Sequence, residues 1–191
     1  MPTTTTTTTT TSDGATTTTT TTTTTSEASA PPAAAEAGFA VRYEIRAEGS
    51  VAGKGIFAVE PIPRGALLWR YSPEVVVEHD EASLRARLKG LAKAEIVDLL
   101  EHIYVWDSLA IEILDDAKVW NHAPIDQRNT GNHPDEASGE GDGVSSYALR
   151  DIAADEELTD DYATFHELPW FEALCAEFGA SSCLSVGREH R

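Results

Sequence analysis

Two short segments of the chain have residues that suit ligand binding, and a third has the composition, though not the geometry, of a catalytic carboxylate pair. Residues 53–55 (Gly-Lys-Gly) can bring backbone close to a ligand, because glycine lacks a Cβ and adopts positive φ; they also suit a tight turn between strands. Asn121 and His122 carry short donors and acceptors that suit a polar ligand, or that tie down loop backbone. The adjacent Glu156 and Glu157 do not form a catalytic carboxylate pair, since neighbours on extended chain face opposite ways.

Short apolar stretches between turns predict the elements that position these segments. Leucine and isoleucine recur at helical spacing over 80–103, where Asp80 or Ser83 caps the start and Gly90 is placed to split the helix in two. Strands are predicted at 40–46, 55–59, 66–71, 73–79, 104–106, 110–114 and 145–149.

The remaining elements lie in the C-terminal half. Residues 115–119 predict one helical turn, and 121–143 form a long loop that contains four glycines. Residues 170–178 predict a short helix that ends at Gly179. Many short strands, one helical insert and a long loop indicate an α+β domain that is mainly β.

The first 37 residues have the composition of a disordered tail. Residues 3–11 and 16–25 are unbroken threonine, and no large apolar residue occurs between Met1 and Phe39. Such a segment buries too little apolar surface to offset the entropy lost on ordering. The sequence therefore predicts a tail at 1–37 and one folded domain at 38–191, which is long enough to form a core.

The charge of the chain narrows the class of partner. The formal net charge is −18, which argues against direct binding to nucleic acid, because phosphate contacts need a basic face. Long-range attraction instead favours basic partners such as lysine-rich protein tails. Plain solubility or a salt-rich habitat explains the same charge, so charge alone does not choose between them.

The sequence favours an intracellular protein. The N-terminal segment lacks the basic start and apolar stretch of a secretory signal. No run of about 20 apolar residues is present to span a membrane. The two cysteines, Cys175 and Cys183, make no disulfide framework and agree with a reducing compartment. A nuclear or a cytoplasmic location is left open.

Four segments, in order, resemble the motifs of the SET domain, the fold of most protein lysine methyltransferases. They are residues 53–58 with 62–65, then 120–122, 128–130 and 148–162. Any one of them is weak alone, and the last is the most specific. The resemblance implies a SET fold of several small sheets with a helical insert at 80–103, a C-terminal pseudoknot supplied by 121–162, and a closing segment at 163–191.

The resemblance implies an S-adenosylmethionine-dependent protein-lysine N-methyltransferase with Tyr162 as its catalytic residue. In the family this tyrosine directs its hydroxyl at the reacting methyl group and the lysine nitrogen. The nucleophile has to be a neutral amine, whereas free lysine has a pKa of about 10.4. A site that desolvates the ammonium and offers a nearby oxygen helps it lose its proton. The alternative for Tyr162 is a core tyrosine with a satisfied hydroxyl.

The resemblance also implies a cofactor site. In the family, backbone near the glycine pair contacts the cofactor, the asparagine hydrogen-bonds it, and the histidine backbone helps to hold its adenine. Ala123 and Pro124 replace the usual serine and cysteine after this histidine, and Asn129 matches the final asparagine of the motif. The implied cofactor contacts are Lys54, Gly55, Ile56, Phe57, Asn121, His122 and Tyr162.

A lysine channel needs aromatic side chains, which sheathe the lysine stem and bind cations on their faces. Asp160 lies where family members often have Phe or Tyr, so the number of methyl groups added is left open. The aromatic candidates could instead belong to the core. The candidate channel residues are Tyr104, Trp106, Tyr147, Asp160, Phe165 and Trp170, with Phe171 as a further aromatic candidate.

Family members often carry a zinc site built from three close cysteines near the C-terminus and the cysteine of the Asn-His motif. Here Cys175 and Cys183 stand alone, and Pro124 replaces the other ligand. A four-ligand zinc site needs more. The sequence therefore predicts no metal.

Three functions remain open on the sequence. The first is methylation of a lysine-containing protein, with histone tails as the default substrate because they are the commonest substrates of relatives. The second is a SET-fold binding module with little or no transferase activity, which Ala123, Pro124 and Asp160 motivate. The third is a structural β domain with coincidental motifs. The oligomeric state is left open.

Overall fold

The computed structural model describes residues 4–12, 15–23, 37–49 and 53–190. The chain divides into two compact units, Met1–Ala34 and Ala35–Arg191. Within the described ranges, no helix has the length and apolar character that a membrane crossing requires.

The N-terminal unit contains two strands, β1 (Thr4–Ser12) and β2 (Ala15–Thr23), which pair antiparallel. Threonine is β-branched and favours extended backbone, which accounts for the strands. The sequence instead predicts a disordered tail at 1–37, of which 1–3, 13–14 and 24–36 lie outside the described residues. Because an isolated two-stranded hairpin is marginally stable in water, disorder of this tail in solution stays a prediction.

The second unit is built from short strands and helices. Its strands are β3 (Gly38–Phe39), β4 (Tyr43–Gly49), β5 (Gly53–Ala58), β6 (Leu67–Arg70), β7 (Val76–His79), β8 (Ile103–Trp106), β9 (Leu109–Ile113), β10 (Asn121–His122), β11 (Thr130–Gly131), β12 (Ser146–Ala148) and β13 (Thr159–Asp160). Its α-helices are α1 (Glu81–Leu88), α2 (Lys93–Glu101), α3 (Pro169–Phe178) and α4 (Cys183–Glu189).

The strands form several small sheets. β11, β12, β6 and β3 make a four-stranded sheet in that order, while β4 pairs with β5 and β9 lies between β7 and β8. All of these pairs are antiparallel. β10 and β13 form a separate parallel pair. Several small sheets with a few helices confirm the predicted α+β, mainly β class.

The helical insert begins and divides where its sequence predicts. The Asp80 side chain caps α1 by accepting a hydrogen bond of 2.8 Å from the Ser83 backbone N–H. Gly90, at a φ of 88°, separates α1 from α2 because glycine adopts this left-handed conformation without a Cβ clash. The short helical turn predicted at 115–119 is a 3-10 turn, Asp116–Val119.

Two hydrophobic clusters lie beneath the helices and the small sheets of this unit. One joins the inward faces of α1, α2 and α3 with β8, through residues such as Leu84, Leu100 and Phe171. The other fills the space between β5, β6 and β12 around Ile56, Leu68 and neighbouring residues. The polar segments around β10 and β13 lie outside both clusters.

The C-terminal closing segment contains one element that the sequence did not predict. α3 matches the predicted helix and ends at Gly179, whose φ is 77°. α4 follows it, with the Ser182 side chain as its N-cap. α4 packs on the 3-10 turn Tyr162–Thr164 through Gly187, where a Cβ would clash with the backbone of that turn.

Candidate active site

A parallel strand pair brings the polar motifs together. In the pairing of β10 with β13, Asn121 lies opposite Thr159 and His122 opposite Asp160. The Ala123 backbone N–H extends the pairing by donating to the Asp160 carbonyl over 2.9 Å. The two segments that the resemblance assigns to a pseudoknot are therefore neighbours in space.

Asn129 holds the loop between these strands. Its side-chain amide donates to the Glu157 carbonyl over 2.7 Å, and its Oδ1 accepts from the Thr159 backbone N–H over 2.9 Å. The residue is almost completely buried. The amide also donates to Glu156 Oε1 over 3.1 Å. Because its oxygen and its amide both bond to the backbone of the strand that leads to Tyr162, Asn129 fixes the register of β13.

Tyr162 lies at the end of β13, in the 3-10 turn that Asp161 caps through the Ala163 backbone N–H. The Tyr162 hydroxyl donates to the Trp120 carbonyl, and its backbone N–H donates to His122 Nδ1 over 3.2 Å. Burial raises the pKa of Tyr162 well above its usual value. The hydroxyl is therefore neutral at physiological pH.

The glycine segment contacts the same junction through Asn121. The Asn121 amide donates to the Lys54 carbonyl over 2.7 Å and to Glu157 Oε1 over 2.6 Å. A Cβ at Gly55 would clash with that carboxylate, so glycine is required here for close approach of backbone to Glu157. β5 and β10 are thus locked together by one asparagine and one glycine.

A cavity of about 940 Å³ is lined by several of the predicted cofactor and channel residues. Their rings form a series across it: the Tyr162 and Phe165 centroids are 5.3 Å apart, as are those of Phe165 and Tyr104. The predicted site residues that line the cavity are Lys54, Asn121, His122, Tyr104, Trp106, Asp160, Tyr162 and Phe165.

The other predicted cofactor contacts lie outside the cavity lining. Ile56 is completely buried in the cluster around β5, because its side chain faces inward in the alternation of that strand. Phe57 faces the other way, and the Arg46 guanidinium lies 4.8 Å from its ring centroid. The space beside the Gly55 α-carbon is filled by the Glu157 carboxylate.

Three of the aromatic channel candidates also lie elsewhere. Tyr147, on β12, packs edge-on against His133 with a centroid distance of 5.0 Å. Trp170 and Phe171 belong to α3 and pack in or against the helical cluster. Their helical spacing with Leu174 places them with the core, which periodicity alone could have indicated.

The cavity also has lining residues that sequence reasoning did not select as site residues. Trp120 contributes the carbonyl that accepts from Tyr162, and Cys183 and Val186 of α4 line the wall nearby. Burial raises the pKa of Cys183 to about 12, so this thiol is neutral. Trp120 directly precedes the Asn-His motif, but its role depends on its carbonyl, which no residue type reveals.

Asp160 and Arg128 form an ion pair at the cavity. The distance from Arg128 Nη1 to Asp160 Oδ1 is 3.2 Å, and the same oxygen accepts from the Asp161 backbone N–H over 2.7 Å. Burial raises the pKa of Asp160, while the positive charge of Arg128 opposes this rise. The sequence could not show this pairing, because the two residues are 32 positions apart.

Two buried polar atoms at the junction are unsatisfied. Within residues 53–190, His122 Nε2 and Trp120 Nε1 have no hydrogen-bond partner although both are buried and both residues line the cavity. An unsatisfied buried polar atom costs stability unless a ligand or water satisfies it. Among the described residues, no group of three or more His, Cys, Asp and Glu is arranged to hold a metal ion.

Comparison with known proteins identifies the family. The SET domain family model matches residues 53–163, which is more than half of the chain. This chain belongs to the SET domain family. Members of that family are typically methyltransferases, and the matched range contains the glycine segment, the β10–β13 pair and Tyr162.

Two solved structures are reported as similar to this chain. One is a crystal structure of a candidate histone methyltransferase of Plasmodium falciparum, with 17% identity over 62% of this chain and 90% of that one, at a TM-score of 0.36. The other is ctPRC2 in an autoinhibited conformation bound to S-adenosylmethionine, with 20% identity over 74% of this chain and 17% of that one, at a TM-score of 0.45. No curated protein matches the chain in sequence.

Proposed function

We propose that this SET domain transfers a methyl group from S-adenosylmethionine to a lysine side chain of a protein, with histone tails as the first substrates to test. One observation carries the proposal. Tyr162, Asn121, His122 and Lys54, which the family motifs single out, line one cavity together with a series of aromatic rings. The net charge of −18 supports a basic protein partner.

The cofactor fits one end of this cavity chemically. S-adenosylmethionine supplies an electrophilic methyl group on a sulfonium. Lys54 offers a cation for its carboxylate, and Asn121 and His122 offer polar groups for its adenosyl part. The unsatisfied Nε2 of His122 and Nε1 of Trp120 are buried polar atoms that a polar ligand can satisfy.

The other end of the cavity suits a lysine side chain. Tyr104 and Phe165 present aromatic faces that sheathe an aliphatic stem and attract a cation. The proton of the Tyr162 hydroxyl is directed at the Trp120 carbonyl, which leaves the lone pairs of its oxygen for the substrate amine. A buried site of this kind disfavours the ammonium and holds the amine in line for displacement.

A SET-fold binding module is the second candidate. The Asn121 amide already donates to Lys54 and Glu157, so binding a cofactor through it requires these bonds to be exchanged. Ala123 and Pro124 also depart from the family motif. Such a module would bind a lysine-containing protein without turnover.

The domain limits and location are part of the proposal. We assign the SET domain to residues 38–191, with a disordered tail at 1–37. The two cysteines of the chain are free and buried, which supports a reducing, intracellular compartment, nuclear or cytoplasmic.

A transfer assay tests the function. Wild-type protein is incubated with methyl-labelled S-adenosylmethionine and a histone mixture or cell lysate, beside Tyr162→Phe. We expect label on protein with the wild type and a loss of about 100-fold with the variant, because one positioned polar group in the transition state has that effect.

The matched control is Tyr43→Phe. The Tyr43 hydroxyl donates to the exposed Asp116 side chain, and Tyr43 is not among the residues that line the cavity. The variant should therefore retain wild-type transfer. Cofactor binding with no transfer to any protein would favour the binding module. No cofactor binding would contradict the methyltransferase.

A further inference from the structure

Asp160 is a part-buried carboxylate in the lining of the proposed catalytic cavity. It belongs to β13, two residues before Tyr162, and its side chain is 18% exposed. Tyr104 and Tyr162 line the same cavity, on either side of Phe165. These rings flank the place proposed for the lysine side chain.

The contacts of Asp160 leave one oxygen available. Arg128 and the Asp161 backbone N–H both donate to Oδ1. Among the described residues, none donates a hydrogen bond to Oδ2. The arrangement therefore fixes the carboxylate with one oxygen and leaves the other for a ligand, as a preorganised acceptor should be.

We propose that Oδ2 of Asp160 accepts a hydrogen bond from the ammonium group of the substrate lysine and then takes its proton. The inference rests on the proposed function, since it assigns the acceptor for a proton that lysine must lose. It adds a role for Asp160 that the sequence motifs do not provide.

The step balances without a further reagent. One N–H bond of the ammonium breaks and its electron pair stays on nitrogen, while the proton forms an O–H bond with Asp160. The charges of ammonium and carboxylate disappear together, which suits a cavity of low dielectric. The resulting neutral amine has the lone pair that methyl transfer requires, and the proton leaves Asp160 to water after each turnover.

The charges around Asp160 set its suitability as a base. Burial raises the pKa of Asp160, which makes it a better proton acceptor than an ordinary aspartate, while the positive charge of Arg128 opposes this rise. The titratable and charged groups that face it are Arg128, Asp161, His122, Tyr104 and Tyr162.

The pH dependence of transfer is the first test. Asp160→Asn keeps the size of the side chain and one acceptor oxygen for Arg128 and the Asp161 N–H, but it replaces the other oxygen with an NH2 donor and removes the charge. With the histone mixture we expect kcat/KM to fall about 100-fold near pH 7.5, in line with the loss of a general base. The deficit should shrink as the pH rises to about 10, where bulk hydroxide deprotonates lysine. A loss that is the same at every pH would show a structural role and overturn the proposal.

The matched control for charge is Asp126→Asn. Asp126 lies in the loop after β10, is exposed and is not among the residues that line the cavity. If Asp160 acts as a positioned base, Asp126→Asn keeps wild-type kcat/KM at every pH. An equal loss in both variants would mean that only the overall negative charge of the domain matters.

A binding measurement separates this inference from the proposed function. n-Butylammonium, which reproduces the end of a lysine side chain, is titrated into the full chain without cofactor, and the backbone amide signals of 160–163 are followed by NMR. We expect Asp160→Asn to weaken binding at least about tenfold, because a hydrogen bond between two charged groups is lost. Equal affinity for both proteins would overturn the role of Asp160, whether or not the wild type transfers methyl groups.

Discussion

The helical insert and the β10–β13 junction are stabilised by opposite means. Around α1, α2 and α3 the buried residues are apolar, and Leu84, Leu100 and Phe171 are completely enclosed. At the junction the buried residues are polar, with Asn121, His122 and Asn129 paired mostly to backbone. Apolar contacts tolerate small shifts, whereas hydrogen bonds have narrow geometry. Apolar packing therefore stabilises the scaffold, whereas directional hydrogen bonds stabilise the proposed site.

The largest expected effect on stability is in the helical cluster. Leu100→Ala removes a fully buried side chain between α2 and α3 and should lower the free energy of unfolding by about 3 kcal/mol. Chemical denaturation measures this, with Leu114→Ala, whose side chain is exposed, as the control. Because the junction is separate from the cavity left by the mutation, cofactor affinity at low temperature should be unchanged. A large loss of cofactor affinity would contradict the claim that the helical cluster and the junction are separate.

Asn129→Ala is the corresponding change at the junction. It removes the hydrogen bonds that the Asn129 side chain makes with the Thr159 N–H and the Glu157 carbonyl, so the free energy of unfolding should fall by about 2 kcal/mol. Unlike Leu100→Ala, it should also abolish methyl transfer under conditions where the protein is folded, because β13 carries Asp160 and leads into Tyr162. Gln127→Ala, which truncates an exposed side chain of the same loop outside the cavity lining, is the control. Normal transfer by the Asn129 variant would contradict a directional role for the junction.

A smaller effect is expected at the start of the insert. Asp80→Ala removes the cap of α1 and should cost about 1 kcal/mol. Circular dichroism during thermal unfolding measures it. Asp80→Asn, which retains an acceptor for the Ser83 N–H, should restore most of the loss. If the asparagine variant is as unstable as the alanine variant, the cap is not the cause.

The smallest effect depends on pH. Burial opposes ionisation of Glu156, but hydrogen bonds from Arg150, the Ala153 N–H and Asn129 outweigh it and lower the pKa of this carboxyl. The ionised group therefore stabilises the folded state above its unfolded pKa of about 4.3, and this contribution is lost as the pH falls through the folded pKa.

Comparison of Glu156→Gln with the wild type tests this titration. The variant should be less stable than the wild type by about 1 kcal/mol or less near pH 7, and the difference should disappear near pH 3. Urea denaturation across this range provides the measurement. A difference that persists in acid would assign the effect to packing.

The sequence predicts the apolar half of this comparison well. Helical spacing of leucines, the Asp80 cap and the Gly90 break are local properties, and α1 and α2 follow them. The same approach missed α4, whose seven residues are too few for a clear apolar period and whose position depends on the close contact of Gly187 with the Tyr162 turn.

The polar β10–β13 junction and its cavity were only partly predictable from the sequence. Motif resemblance selected Lys54, Asn121, His122 and Tyr162, and the structure places all four around one cavity. Residue type alone could not separate Tyr104 and Phe165, which line it, from Tyr147 and Trp170, which do not. For Trp170 the helical spacing with Leu174 carries the signal, whereas the position of Tyr147 depends on the pairing of β12 with distant strands. The ion pair of Asp160 with Arg128 likewise joins distant segments.

The central claim is that the β10–β13 junction forms the site of a protein-lysine methyltransferase. Tandem mass spectrometry of a histone mixture incubated with S-adenosylmethionine and either wild-type protein or Tyr162→Phe tests it most directly. The account predicts peptides in which a lysine has gained one or more methyl groups with the wild type, and nearly none with the variant. Methyl groups on another residue type, or equal lysine methylation by the Tyr162 variant, would contradict it.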